Sequence, residues 1–495
     1  MLYYHNAKFL TQSTALPVAD NLLVHQNKII GVNVPAPISA QTIDLQGQTV
    51  IPGFIDAHIH IWKVGDLLTY MLDLRGVRSK SAMLDAIADF ARKFPHRPWI
   101  LARGFNEALF EDSQIPTRHD LDQVLPDRPC QIIRTCAHIA ILNTKALEIC
   151  GITPQTIPPQ GGEIRLDTQG IPNGIITETA LGLAKKYIPD PSPDAYREMV
   201  LAAQDALLEK GITSATDPAV MPDLMAVYHA MNKAGELKIR INAVPIRVPD
   251  GAVQALPLPE LFQSDYLTVN TVKFFSDGGI SGKTAAVKTA YKNTAEHGVL
   301  RLNPTFFEQL ALESQSAGFK IATHAIGDAA IEMVVGVYEK IQKSNAKGLR
   351  HRIEHLGLPE AEHLAKMRDM GTFCVSQPIF LYELGVNFRQ YLPDEYVQRI
   401  YPYRTMLDAG ISLAFSSDAP VVKDFDPRTG IKNAVERKDH TDVVIALDEQ
   451  ITPAEALCAY TRTAAEANGD ASTGVLEVGR WADMVFDFRN EMDIK

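Results

Sequence analysis

Short apolar runs alternate with longer amphipathic stretches along most of the chain, which predicts strands alternating with helices. Eight runs are strand candidates: 53–60, 211–217, 238–246, 267–277, 319–326, 349–356, 371–377 and 412–418. Eight strands separated by helices predict an α/β fold, and eight is the number that closes a (β/α)8 TIM barrel. An open doubly wound sheet is the alternative, but no Gly-rich phosphate loop follows the first run.

Two parts of the chain depart from this alternation. The segment between His60 and Gly211 is too long to lack structure. We therefore predict an inserted subdomain over residues 63–200, which leaves the barrel beside His60 and covers its mouth. Short β-segments precede residue 52 and a strand-like run ends the chain, so residues 1–52 and 453–495 are predicted to pair as a small β-sandwich. Residues 53–452 then form the barrel.

Composition limits the classes of partner. The formal net charge is 48 − 59 = −11, so the chain lacks the basic surface of a nucleic-acid-binding protein. No apolar run reaches the length of a membrane span, and the first residues lack signal-peptide order. The five cysteines have no CxxC spacing, which argues against a disulfide framework. We expect a cytoplasmic protein that acts on a small molecule; a homodimer stays open.

The motif Asp56-Ala57-His58-Ile59-His60 is the first candidate for chemistry. Alternate residues of a strand share a face, so His58 and His60 are predicted to lie together with Asp56 beside them. Two imidazoles at one strand end can chelate a metal ion. An HxH motif alone is a modest signal, because exposed histidines often have no function.

Four more predicted strands carry a ligand-type residue near their carboxyl ends, where barrel enzymes gather functional groups. They are Lys273, His324, His355 and Asp418, on the fourth, fifth, sixth and eighth strands. Taken singly, each of these four residues is equally consistent with a structural polar group. Together with the HxH motif they give ligand-type residues near the ends of five strands, which favours a metal site.

Lys273 lies among Val272, Phe274 and Phe275. Burial there would lower the lysine pKa. A neutral amine can add carbon dioxide to form a carbamate, an anionic oxygen ligand that can bridge two cations. The alternatives are a lysine that extends to solvent at the barrel mouth, or one that pairs with Asp277.

Asp418 suits a second role besides metal binding. A carboxylate beside a metal-bound water can accept its proton and later pass it to a leaving group. The alternative is an aspartate that caps the following turn, near Pro420.

The order HxH, Lys, His, His, Asp resembles that of the binuclear amidohydrolases. Flanking segments are similar to the YtcJ-like subgroup, which includes N-substituted formamide deformylases. These segments are 53–60, 116–122, 128–129, 324–328, 352–355, 417–421 and 474–488.

The resemblance implies a ligand set. His58, His60 and Asp418 would hold the more buried metal, His324 and His355 a second one, and carboxylated Lys273 would bridge them. One or two zinc ions suit these donors, and manganese or iron would also fit. His138, in the predicted insertion, is a candidate substrate contact, with a structural hydrogen bond as the alternative.

The predicted function is hydrolysis of a carbon–nitrogen bond in a small non-peptide amide, by a metal-activated hydroxide with Asp418 as general base and acid. An esterase or an isomerase on the same metal site is one alternative. A metal-stabilised binding or regulatory protein with little turnover is another, and the complete ligand set argues against it.

Overall fold

The computed structural model describes residues 1–111, 113–134, 139–159, 161–249 and 252–488. The chain divides into two compact units, one of Met1–Ile61 with Gln204–Lys495 and one of Trp62–Ala203. The segment predicted as an insertion falls within the second unit. Its placement over a barrel mouth stays a prediction.

The first strands of the chain form a six-stranded sheet with its last strand, Met484–Val485. They are β1 (Leu2–Leu10), β2 (Val18–Ala19), β3 (Leu22–His25), β4 (Lys28–Val32) and β5 (Gln41–Pro52). β5 pairs in parallel with β1 and antiparallel with Met484–Val485, so both ends of the described chain enter one sheet. Phe9, Leu22 and Ile29 are buried in the core of this sheet.

After β6 (Phe54–Asp56) the chain enters the second unit. Its strands are β7 (Met71–Asp73), β8 (Ile100–Phe105), β9 (Cys130–Arg134), β10 (Ile139–Leu142), β11 (Glu163–Leu166) and β12 (Pro172–Thr177), paired in the order β11-β12-β10-β9-β8-β7. Its helices are α1 (Ile61–Thr69), α2 (Lys80–Lys93), α3 (Arg118–Asp122), α4 (Thr144–Cys150), α5 (Gly182–Lys185) and α6 (Pro193–Glu209). Short 3-10 turns occupy Glu107–Leu109 and Glu178–Leu181. Met83 and Ile87 of α2 are buried with Ile100 and Ile132, so this unit has its own core.

The first unit continues with strands in each of the remaining predicted runs, which are β13 (Ile212–Val220), β14 (Arg240–Pro245), β16 (Leu267–Val269), β17 (Thr271–Phe275), β18 (Lys320–Ala325), β19 (Arg352–His355), β20 (Phe373–Ser376) and β21 (Ser412–Phe415). Two short strands lie outside these runs: β15 (Phe262–Gln263) and, in the terminal sheet, β22 (Met484–Val485). Its helices are α7 (Pro222–Ala234), α8 (Pro304–Ala317), α9 (Asp328–Gln342), α10 (Ala361–Met370), α11 (Ile379–Tyr391), α12 (Asp394–Val397), α13 (Tyr403–Asp408), α14 (Pro427–Glu436), α15 (Pro453–Ala459) and α16 (Arg462–Asn468), with a 3-10 turn at Leu447–Glu449.

These strands form two sheets, β15-β16-β14-β13-β6 and β17-β18-β19-β20-β21. The ladders are parallel apart from the β15–β16 pair. A parallel bridge between Ile246 and Lys273 links the sheets on one side. On the other side Ala57 N donates to Phe415 O at 3.2 Å. The α/β class is therefore confirmed, and closure into a (β/α)8 barrel stays a prediction.

Helix ends follow local sequence signals, as α8 illustrates. The Asn303 side chain accepts from the backbone N–H groups of Thr305 and Phe306, and Pro304 occupies the first turn. Gly318 ends the helix with a φ of 100°, a conformation that glycine adopts without steric cost.

In the described part of the chain, none of the helices combines the length and apolar composition that crossing a membrane requires.

The predicted start of the C-terminal sheet segment at residue 453 is too early. α15 and α16 occupy the first part of that segment. Ala464 and Ala465 of α16 are buried in one cluster with Ile55 and Phe373 of the core strands. These small side chains allow the helix to approach the strands closely, so it belongs with them and not with the terminal sheet.

Candidate metal centre

His58 and His60 lie just beyond a regular strand. β6 ends at Asp56, so the strand is shorter than the predicted run 53–60. Hydrogen bonds nevertheless hold the segment that follows, because Asp418 N donates to His58 O at 2.7 Å and His60 N donates to Ala419 O at 2.9 Å. The two histidines are thus held beside the segment that carries Asp418.

Asp56 orders the backbone on both sides of this junction. Its Oδ1 accepts hydrogen bonds from the backbone N–H groups of His58 and Ser417, each at 3.1 Å. Burial raises the pKa of Asp56 to about 7, while these hydrogen bonds act to lower it. Asp56 therefore holds the segment of His58 and the segment of Asp418 together through backbone hydrogen bonds.

Three buried side chains converge at this point. The Nε2 atoms of His58 and His60 each lie 3.4 Å from Asp418 Oδ1. One ligand atom from each residue falls within 4.8 Å of the others. In the described residues, Asp418 Oδ1 has no hydrogen-bond partner. Two imidazole nitrogens and a buried carboxylate oxygen match the donors of a divalent transition metal, so this His58 group fits a metal ion.

A second pair of histidines lies next to this group. The rings of His324 and His355 are 4.4 Å apart between centroids, and the His355 ring is 5.2 Å from that of His58. His324 Nε2 lies 3.1 Å from Gly278 O and 3.3 Å from Asp277 Oδ1. Five of the predicted ligands therefore lie in one cluster, in which His324 is partly exposed and the other four are buried.

The electrostatics of His355 and Asp418 favour the protonation states of metal ligands. Burial, reinforced by His324, holds the pKa of His355 well below its ordinary value, which keeps the imidazole neutral. Burial acts to raise the pKa of Asp418, but His58 and His60 hold it well below its usual range. A neutral imidazole and an anionic carboxylate are the forms that bind metals.

Lys273 is fully buried, and its Nζ lies 4.9 Å from the centre of the Phe275 ring. Among the residues that the structure describes, Nζ has no hydrogen-bond partner. Burial lowers the pKa of Lys273 to about 8, although Glu354 and Asp418 act to raise it. Asp277 instead accepts three backbone N–H groups, so the alternative of a Lys273–Asp277 pair is not observed.

Glu354 is a site residue that the sequence analysis did not assign. It is fully buried, and its Oε2 contacts Nδ1 of His58. Strict strand alternation would place Glu354 and His355 on opposite faces. His355 has a φ of 72°, which breaks the alternation and allows both neighbours to contact His58. The signal in the sequence was an acidic residue beside a predicted ligand.

His138, the predicted substrate contact, lies outside the described residues. Its role stays a prediction.

Comparison with known proteins identifies the family. A sequence model of the amidohydrolase family matches residues 41–495. The chain is 31% identical to YtcJ of Bacillus subtilis (strain 168) over 404 residues, 80% of this chain and 75% of YtcJ. It is 26% identical to the N-substituted formamide deformylase of Arthrobacter pascens over 514 residues, 99% of this chain and 93% of that protein.

The fold has a solved counterpart, the crystal structure of an uncharacterized metal-dependent hydrolase from Pyrococcus horikoshii OT3. The two share 24% sequence identity and a TM-score of 0.82, over 99% of this chain and 98% of the other. The resemblance predicted from the strand-end motifs is confirmed by the family match over most of the chain. The protein therefore belongs to the amidohydrolase family.

Proposed function

We propose that this protein is a metal-dependent hydrolase that cleaves a carbon–nitrogen bond in a small non-peptide amide. The observation that carries the proposal is the buried convergence of His58, His60 and Asp418, whose Oδ1 accepts no hydrogen bond from the residues that the structure describes. The choice of bond is supported by the relative from Arthrobacter pascens, which is named for deformylation of N-substituted formamides.

The His58 group would hold one divalent ion, and the His324–His355 pair would hold a second. Zinc is the first candidate, because imidazole and carboxylate are ligands that it commonly takes. When bound, such an ion would lower the pKa of water and polarise a carbonyl group.

We also infer that the sheets β15-β16-β14-β13-β6 and β17-β18-β19-β20-β21 close into one barrel. The bridge between Ile246 and Lys273 and the hydrogen bond from Ala57 N to Phe415 O support this closure.

Lys273 would be carboxylated and lie between the two ions. The neutral Nζ amine adds to carbon dioxide, which forms the N–C bond of a carbamate and releases one proton. Complete burial and the absence of a hydrogen-bond partner among the described residues support this modification, because an unpaired buried ammonium is unfavourable.

Asp418 would move the proton during hydrolysis. Its carboxylate is buried and anionic, so it can accept a proton from the attacking water and donate it to the leaving nitrogen. Protonation of nitrogen converts a poor leaving group into a neutral amine. His138 would contact the substrate from the inserted unit.

Hydrolysis of amides and of matched esters by the zinc-loaded protein tests the proposal. We expect N-substituted formamides to release formate and amine, with activity lost to a chelator and restored by zinc. His25→Ala, at an exposed position of the terminal sheet, is the control that should keep activity. Turnover of the esters alone would favour an esterase. Tight metal binding without turnover of either series would favour a binding protein.

A further inference from the structure

The two innermost histidines of the site are held by neighbours of different charge. Nδ1 of His58 contacts the Glu354 carboxylate, whereas Nδ1 of His355 lies 2.7 Å from the amide oxygen of Gln377. Gln377 is itself oriented, because its Nε2 donates to Ser416 Oγ at 2.9 Å. In both cases Nδ1 faces an acceptor, which leaves Nε2 with its lone pair for a metal ion.

Glu354 is held rigidly as an anion. Arg352 Nε donates to its Oε1 at 2.5 Å, and a second Arg352 nitrogen donates to Oε2 at 3.0 Å. The same guanidinium donates to Asn468 Oδ1 at 3.0 Å and to the backbone oxygen of Ala57 at 2.5 Å. Arg352 and Glu354 are both fully buried, so the pair has little freedom to rotate.

A carboxylate acceptor makes an imidazole a stronger electron-pair donor than an amide acceptor does. His58 Nε2 is also the nitrogen that lies 3.4 Å from Asp418 Oδ1. The two candidate metal positions therefore differ in their ligands, because only the His58 group includes a carboxylate ligand. Their supporting groups differ as well: the Glu354 carboxylate contacts His58 directly, whereas a neutral amide supports His355 and the Asp277 carboxylate lies 3.3 Å from His324 Nε2.

We propose that Glu354 is a positioning residue that makes the His58 group the metal position of higher affinity, so that the first ion binds there and the second binds more weakly at the His324–His355 pair. This inference rests on the metal-dependent function proposed above, although not on the identity of the substrate.

Zinc titration of the full-length apoprotein against a competing chelator tests the order of binding. We expect Glu354→Gln, which keeps the shape but removes the charge, to weaken the first zinc equivalent by about 10–100-fold. Gln377→Leu should weaken the second equivalent and leave the first unchanged. Wild-type affinity for the first equivalent in folded Glu354→Gln would overturn the proposal. A merely structural role for Glu354 would lower the melting temperature without this selective loss.

A second measurement uses only the wild-type protein and so does not depend on the folding of a variant. In crystals of protein given one zinc equivalent, anomalous scattering should place the ion at the His58 group. An ion found first at the His324–His355 pair, or equally at both positions, would overturn the inference while leaving the metal-dependent function intact. A wild-type protein that binds no zinc at all would overturn both.

Discussion

Asp418 Oδ1 lies 3.4 Å from Nε2 of His58, and both side chains are buried. A carboxylate oxygen and an imidazole nitrogen at this separation, without a hydrogen bond to Asp418 Oδ1 in the described residues, leave a gap that a cation would fill. We therefore expect His58→Ala to lose at least one equivalent of bound metal by elemental analysis. His25→Ala should retain the wild-type content. Equal metal content in both variants would contradict the ligand assignment.

Lys273 offers a test of the carbamate. After decarboxylation at low pH, activity should return when bicarbonate is added to the wild type, and Lys273→Met should not respond. Because burial lowers the pKa of Lys273 to about 8, the neutral amine increases as pH rises through that value, so recovery should be faster at higher pH when dissolved carbon dioxide is held constant.

Lys320 is the matched control for this experiment, since it is a second buried lysine. Lys320→Met should respond to bicarbonate as the wild type does. Loss of the response in both variants would point to a general effect of removing a buried lysine, and carboxylation of Lys273 would lose its support.

Lys320 also predicts a pH dependence of stability. Burial lowers its pKa from 10.5 to about 7, with Arg352 adding to the shift and Asp470 opposing it. Between these pH values the unfolded chain binds a proton that the folded chain does not, so this lysine makes stability rise with pH. Its unfavourable effect is complete below about pH 7 and disappears above about pH 10.5.

Replacing this lysine should therefore stabilise the protein at neutral and lower pH. We expect Lys320→Met to raise the free energy of unfolding at pH 6 by an amount on the order of a few kcal/mol. The contribution of the hydrogen bond from Nζ to Ala467 O, which the variant loses, reduces this gain. The gain should shrink towards pH 10. Urea denaturation at several pH values measures this. A gain that is constant with pH would show that packing alone is responsible.

Gly327 permits a close backbone approach beside the site. A Cβ there would lie 1.9 Å from Ala286 O, whereas a Cβ at Gly336 would meet no atom within 4 Å. We expect Gly327→Ala to lower the free energy of unfolding by about 1–3 kcal/mol, because a backbone carbonyl must shift. Gly336→Ala, in the middle of α9, should be neutral or stabilising by about 0.5–1 kcal/mol. Similar denaturation midpoints for the two variants would refute the steric argument.

The role proposed for His138 can be separated from metal binding by kinetics. If it contacts the substrate, His138→Ala should lower kcat strongly at unchanged metal content. Unaltered kcat and KM would make His138 a structural or exposed residue.

The strand pattern and the ligand types were readable in the sequence. Each of the eight predicted runs contains a strand, because an apolar run between turn formers has few other ways to bury its side chains. His324, Lys273 and His355 lie on β18, β17 and β19, as the position of each near a run end predicted. The first run was predicted too long, since β6 ends before His58 and long-range hydrogen bonds replace the regular ladder.

The sequence by itself determined which residues offer ligand-type atoms and near which strand each one lies, because periodicity and residue type are local properties. Only the tertiary structure decided that Glu354, 296 positions from His58 along the chain, would support its imidazole. That contact involves a left-handed backbone at His355 and a buried Arg352 that pairs with the carboxylate from two residues away on β19. A local pattern places Arg352 beside Glu354, but the approach of Glu354 to His58 arises only when distant strands pack and exclude water from the charges between them.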